Sequence, residues 1–266
     1  MLTLPKKPKV VERDGNRAVV EISELYPGYG STVGNTIRRA LYSSIDGAAI
    51  TSFKIDGVPH EFSTMEGVLE DAIEISLNIK EVRLVLHGDE PQILKLKVKG
   101  GKDVREVTAK DIVAPSQVEV VNKDVHIMTI TSPRTVIDME FTVERGMGYV
   151  QTDKDAKEKK NIGVIRLDAV FTPVIKVNFE VENMRVGDRT DFDRLLLDIT
   201  TDGTITPEDA YEKATEVLYD HFELLKDLDG KPATKKRKKN SLATKKKKGA
   251  SSSKRSSGRI KQKKKK

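Results

Sequence analysis

Three features of the chain predict an α+β fold: an amphipathic helix near each end of residues 1–230, a long stretch of short β-branched runs between them, and an abrupt change of charge at residue 231. The last 36 residues, Lys231 to Lys266, hold eighteen Lys and Arg and no Asp or Glu, so the 41 acidic residues of the chain face thirty basic ones within 1–230. The body is therefore about −11 and the tail +18, and the sequence pI near 9.3 describes neither. With Leu242 and Ile260 as its only large apolar residues, the tail has too little to bury against its ordering entropy and is predicted to be disordered.

The elements follow in order. VVERDGNRAVVEI at 10–22 reads as two strands about an Asp14-Gly15 turn. In PGYGSTVGNTIRRALYSS at 27–44, Gly28 and Gly30 give backbone freedom before a helix, and Ser31 or Thr32 can accept from its first free amides. Val33, Ile37, Leu41 and Ser44, with Ala40 beside them, recur at helical spacing, so one face buries. Arg38 and Arg39 lie about 100° apart around the axis and cannot do the same job. On spacing alone they read first as a solvated charge pair, with a partner-facing arginine as the alternative. Ser63 and Glu66 form a capping-box pattern, and Val68, Ala72, Ile75 and Ile79 follow, so a helix is predicted over 64–79. From 82 to 145 the runs VRLVL, ILKLKV, VEVV, VHIMTI and VIDMEFTV are strands, and VIRLDAVF, IKVNFEVE and RLLLDIT add three more.

A last helix starts at Thr206, whose side chain can cap, with Pro207 at the first helical position and Glu208 and Asp209 near the positive end of the dipole. Its stripe of Tyr211, Ala214, Leu218, His221, Leu225 and Leu228, with Val217 and Leu224 alongside, is wider than one small sheet needs. Periodicity leaves open whether this is a core helix or one that also packs against another subunit.

Candidate chemistry is sparse. No apolar run reaches the ~18 residues of a membrane span, and the opening MLTLPKKPKVVERDG turns polar at once, unlike a signal peptide. Zero cysteines exclude disulfides and thiolate chemistry and fit a cytoplasmic protein. His60, His87, His126 and His221 are isolated and lack the spacing of metal ligands. Gly146-Met147-Gly148 has no third glycine and no strand-to-helix context, and there is no phosphate-binding GxxxxGK[ST]. Carboxylates such as those of DRTDFD at 188–193 read as surface, and DKDAKEKKN at 153–161 as a charged loop. No active site, metal or cofactor is expected on this chain.

Segment 27–44 resembles the GxGxTLGNxLRRxLLSS signature of the alpha subunits of bacterial-type RNA polymerase, with Val33 for Leu, Thr36 for a small residue and Ile37 for Leu. IDGVPHEFSTMEGVLEDAIEISLNIK at 55–80, VERGMGYV at 143–150, IGVIRLDAVFTPV at 162–174 and RTDFDRLLLDITTDGTITPEDA at 189–210 are similar to four further signatures, in family order. The resemblance covers roughly residues 5–228 and implies a discontinuous α/β dimerisation subdomain at 1–46 plus 173–230, with an inserted, mainly β subdomain at 47–172. It implies a homodimer that recruits the two large subunits, beta and beta-prime, as a scaffold without its own active site. The large-subunit interface is then expected at Gly34, Asn35, Arg38 and above all Arg39, with Glu66, Arg145, Gly146 and Asp168; Glu61, Ser63 and Glu66 also read as purely structural. The dimer interface is expected at Ile37, Leu41, Ala214, Leu218, Leu225 and Leu228.

The chain departs from the family after about residue 230, where the usual form carries a linker and a small helical DNA-binding domain. Here Lys235, Lys236, Arg237, Lys238, Lys239, Lys245, Lys246, Lys247 and Lys248 stand instead, able to neutralise phosphates without reading bases. The tail has no aromatic residue, so it offers no stacking platform for single strands. A solubilising appendage is the other reading of such a tail. For the whole chain, the rival is a nucleic-acid-compacting protein independent of polymerase, but an acidic body repels DNA. The expected location is the cytoplasm, at the nucleoid.

Overall fold

The computed structural model describes residues 4–152 and 163–226, and these form a mixed α+β body. In chain order, β1 (Lys9–Asp14) and β2 (Arg17–Leu25) precede α1 (Tyr29–Ser43), β3 (Asp46–Ile55) and α2 (Ala72–Lys80). There follow β4 (Leu84–Leu86), β5 (Gln92–Lys99), β6 (Arg105–Thr108), β7 (Ile112–Val113), β8 (Val118–Val120), β9 (His126–Ile130) and β10 (Val136–Met147). The short strands β11 (Tyr149–Val150), β12 (Val164–Arg166) and β13 (Ala169–Val170) lead to the long hairpin of β14 (Val174–Val186) and β15 (Arg189–Thr201), and α3 (Pro207–Leu225) closes the body.

Two larger antiparallel sheets organise most of these elements, beside the two-stranded pairs β6-β9 and β11-β13. One is four-stranded in the order β1-β2-β15-β14; in the other, β7-β5-β10-β3-β4-β8 are neighbours and β12 also pairs with β3. Each has its own apolar cluster. Val20, Ile22, Leu195, Leu197 and Ile199 of the four-stranded sheet pack with Ile37 and Leu41 of α1 and Ala210 and Ala214 of α3. Phe53, Leu94, Leu96, Met139 and Phe141 of the larger sheet pack with Ile75 and Ile79 of α2. The alternation is of period two, as half-buried strands require: in β5, Leu94, Leu96 and Val98 face in while Ile93, Lys95, Lys97 and Lys99 face out. The outward lysines meet acids across the ladder, Lys95 with Glu140 at 3.0 Å and Lys97 with Asp138 at 2.9 Å, exposed pairs that contribute little stability.

Several local expectations change in three dimensions. The first hairpin turns at Gly15-Asn16, one residue later than expected, with Gly15 at φ 53°. The helix expected over 64–79 begins only at Ala72, where Asp71 accepts from the Glu74 amide at 2.8 Å. The preceding segment cannot be helical because Gly67 sits at φ 79°, and Ser63 Oγ bonds His60 Nδ1 instead of capping a helix. VIRLDAVF divides into β12 and β13 at Leu167-Asp168. Strand β3, not anticipated from the small residues of its first half, runs through the middle of the larger sheet. Gly47 within it is required, since a Cβ there would lie 1.9 Å from the Phe171 carbonyl oxygen. Helix α3 starts where its local signals place it, with Thr206 Oγ1 accepting from the Asp209 amide at 3.2 Å and Pro207 in the first turn.

Candidate subunit interface

Helix α1 lies unusually close to the β14–β15 hairpin because two of its inward positions have no side chain. A Cβ on Gly30 would come within 2.6 Å of Val181 Cγ1, and one on Gly34 within 2.8 Å of Phe179 Cδ2 and 2.9 Å of Leu195 Cδ1. The helix has no side-chain cap of its own; neither Ser31 nor Thr32 plays that part. Asp193 of β15 supplies the acceptor, taking the amides of Gly28 and Gly30 on one oxygen, each at 2.9 Å. Asp193 is only 7% exposed, so the reading of DRTDFD as surface fails at this residue. Its negative charge at the positive end of the helix dipole and its two donors offset the cost of burial.

The resulting orientation separates the two arginines. Arg38 lies with Cζ 5.3 Å from the centre of the Phe179 ring and donates to Asn35 Oδ1 at 2.9 Å. Arg39 is exposed, and its guanidinium has no ion pair or hydrogen bond among the described residues. Asn35 is exposed beside them, whereas Gly34 is buried against the chain's own sheet and shapes the helix seat.

A second group forms where β10 ends. Gly146 packs under the Phe171 ring, with its missing Cβ 2.7 Å from ring carbons, and Gly148, at φ 64°, turns the chain so that its carbonyl accepts from the Phe171 amide at 2.8 Å. Strands β11 and β13 pair there, which brings the VERGMGYV and LDAVF segments together. Asp168 Oδ1 accepts from the Thr152 amide at 2.8 Å, and Lys80 Nζ at the end of α2 lies 3.8 Å from Oδ2. The Thr152 amide outweighs burial and, with Lys80 and Tyr149, holds the Asp168 carboxyl below the ordinary range. Arg145 is engaged within the chain: its guanidinium bonds Asp46 and, at 3.0 Å, Asp89. Asp46 also approaches Lys213 of α3 at 3.5 Å and thereby joins β10 to that helix. Glu66 is exposed on the segment before α2, apart from the Asp168 group, and its carbonyl accepts from Thr135 Oγ1 at 3.0 Å.

The residues expected at a dimer contact fall into two sets. Ile37, Leu41 and Ala214 are buried in the chain's own core, where they hold α1 and α3 to the sheet, and Leu218 is half-buried against the same cluster. The second half of α3 is different: Phe222 is 60% and Leu225 71% exposed, with Tyr219 and Leu224 also bare. Leu228 and the whole set of tail lysines and arginine lie outside the described residues, as does the 153–161 loop. Among the described residues no group of His, Asp and Glu is arranged to hold a metal ion, and no helix is long and apolar enough to cross a membrane.

Residues 53–172 match a family model described as the RNA polymerase Rpb3/RpoA insert domain. Over 228 residues the chain is 47% identical to a DNA-directed RNA polymerase subunit alpha from Carboxydothermus hydrogenoformans, covering 84% of this chain and 71% of the relative. This chain belongs to the family of DNA-directed RNA polymerase alpha subunits. Similar relatives from Roseiflexus castenholzii (50% identical over 223 residues; 84% of this chain, 68% of the relative) and Moorella thermoacetica (46% over 223; 82% and 69%) carry the same description. A polymerase-independent compaction protein is correspondingly disfavoured, and the chain's place is in a transcription complex. Four residues to which the sequence assigns no role hold the signature segments in place: Asp193 and Phe171 from within two of those segments, and Asp46 and Phe179 from outside them. Nothing local marks them, because each acts on a segment far away in sequence.

Proposed function

We propose that the chain is the homodimeric, non-catalytic scaffold of an RNA polymerase, which captures the beta and beta-prime subunits and carries no active site or cofactor of its own. The observation that carries this reading is the contrast on α1: Arg38 is packed on Phe179, while Arg39, on the same rigidly seated helix, is exposed and unpaired among the described residues. A planar, five-donor head held ready on a fixed element suits carboxylates at a protein interface. Asn35 adjoins it, and the Asp168 group and the Glu66 segment supply further contacts. In this reading residues 1–46 with 173–230 form the dimerisation subdomain and 47–172 the insert. Exposed Phe222, Leu224 and Leu225 at the end of α3 support a self-association surface, because contiguous bare apolar groups of this kind mark protein contacts. The eighteen basic residues of 231–266 hold DNA through its phosphates without base selectivity, and the complex works in the cytoplasm at the nucleoid.

The test is co-purification with the large subunits at limiting concentration. Arg39→Ala keeps helix propensity and should leave the dimer intact, while weakening capture by about 2 kcal/mol, roughly thirtyfold, as for an interface arginine. Capture equal to wild type would remove Arg39 from the interface.

A further inference from the structure

Residues 56–71 run from β3 to α2 without regular secondary structure, yet they are stitched along the edge of β9 opposite β6. The Thr131 amide donates to the Gly67 carbonyl at 2.9 Å, Val68 forms a bridge with Ile130, and the Leu69 amide donates to the Thr129 carbonyl at 3.0 Å. At the next step the chain must leave the strand direction to enter α2, so no backbone carbonyl continues the ladder. The Glu70 side chain takes over. Its Oε2 accepts from the Thr129 amide at 2.7 Å, and its Oε1 accepts from Thr129 Oγ1 at 2.9 Å and lies 2.9 Å from His126 Nε2. The other ring nitrogen, Nδ1, lies 3.1 Å from Glu106 Oε1 on β6, which ties the arrangement to a second strand.

The Glu70 side chain is 12% exposed, so these contacts are largely shielded from competing water. Burial works to raise the Glu70 carboxyl, but the Thr129 amide and His126 hold it below the ordinary carboxylate range. On the outer side of the same segment Phe62 and Leu69 are bare, 71% and 72% exposed, and Glu66 is exposed between them. The segment's own apolar anchors are few, Val58 in the core with Met65 and Val68 packed against it, so the stretch around Glu66 and Leu69 relies also on the polar grip behind it.

We infer that Glu70 is a positioning residue whose grip on β9 fixes the segment bearing Phe62, Glu66 and Leu69 in the orientation that a large polymerase subunit engages. This rests on the reading of that segment as part of the large-subunit interface. Glu70 itself faces inward, and its effect on assembly is exerted through the segment it holds.

Full-length Glu70→Ala and Glu70→Gln dimers should be compared for amide hydrogen exchange and for capture of the large subunits at limiting concentration. Losing charge-assisted bonds to a buried carboxylate corresponds to factors on the order of tenfold or more. In Glu70→Ala, exchange at Leu69, Thr129 and Thr131 should quicken by about that factor and capture should fall similarly, with dimerisation unchanged. Glu70→Gln, whose carbonyl still accepts from the Thr129 amide, should restore most of both. A loosened segment with undiminished capture overturns the inference, and so does exchange that does not change. If Glu70→Ala does not fold, Thr129→Val, which deletes one donor to Glu70, should loosen the segment and weaken capture in part; no change in either overturns the inference equally. The double variant Glu66→Arg with Leu69→Asp leaves the grip intact and probes the surface alone. Undiminished capture there sinks the interface reading and the inference with it, whereas lost capture there combined with full capture by a loosened Glu70→Ala sinks the positioning role only.

Discussion

Replacing Asp193 by alanine should destabilise the body through a helix 163 residues away in sequence. The carboxylate receives the amides of Gly28 and Gly30, both at 2.9 Å, and the Gly30 bond is fully buried. Loss of an N-cap acceptor costs about 1 kcal/mol. Leaving buried donors unpaired costs about 1–3 kcal/mol for each. Because the two bonds share one oxygen and the Gly28 end is closer to solvent, the sum falls short of additive, and about 2–4 kcal/mol is expected. That is a large part of a typical ~5–15 kcal/mol domain stability. Asp193→Asn retains a carbonyl oxygen that can accept both amides and loses only the charge, so it should cost about 1 kcal/mol. Urea titrations followed by far-ultraviolet circular dichroism would compare the midpoints, with the slope unchanged in both variants. An alanine variant within about 0.5 kcal/mol of wild type, or one no worse than the asparagine variant, would refute the capping role.

Three further outcomes are expected. Phe222→Asp together with Leu225→Asp, at side chains already bare in the protomer, should leave the fold intact but yield monomers in light scattering, since carboxylates would otherwise be buried without partners; a persisting dimer would remove this helix end from the contact. Burial tends to raise the Asp46 carboxyl, but its bond to Arg145 and the charges of Lys213 and Arg145 hold it below the ordinary range; its stabilising effect is thus complete above the unfolded value of about 4 and fades as pH falls towards the folded one. The gap in melting temperature between wild type and Asp46→Asn should accordingly be widest near neutral pH and close on acidification, and a constant gap would contradict the assignment. Polymerase lacking residues 231–266 should assemble normally but bind DNA more weakly, with a shallower dependence on salt and the same defect on all upstream sequences; equal salt slopes would make those residues irrelevant to DNA.

Much of this protein was legible from local sequence. Thr206-Pro207-Glu208-Asp209 marks the start of α3 because capping and the helix dipole act within one turn. The alternation in β5 and β15 marks an inner and an outer face because strand geometry repeats every two residues. The five signature segments were sufficient to identify the family, and the charge break at 231 is a matter of composition. Tertiary structure decided what holds those segments. Whether Ser31, Thr32 or a distant residue caps α1 depends on which carboxylate the β14–β15 hairpin delivers, and no periodicity distinguishes buried Asp193 from exposed Asp191 two residues earlier. The capping-box pattern at Ser63 and Glu66 gave way because Gly67 takes a positive φ and the chain gains bonds to β9 that a helix would forfeit. Arg38 and Arg39 are chemically identical in the sequence; only the position of Phe179, brought under α1 by the missing side chain of Gly34, packs one and leaves the other exposed and without a partner among the described residues. Local rules describe what a residue can do within a turn or a strand pair, and a side chain's partner across more than a hundred residues is set by how the elements stack.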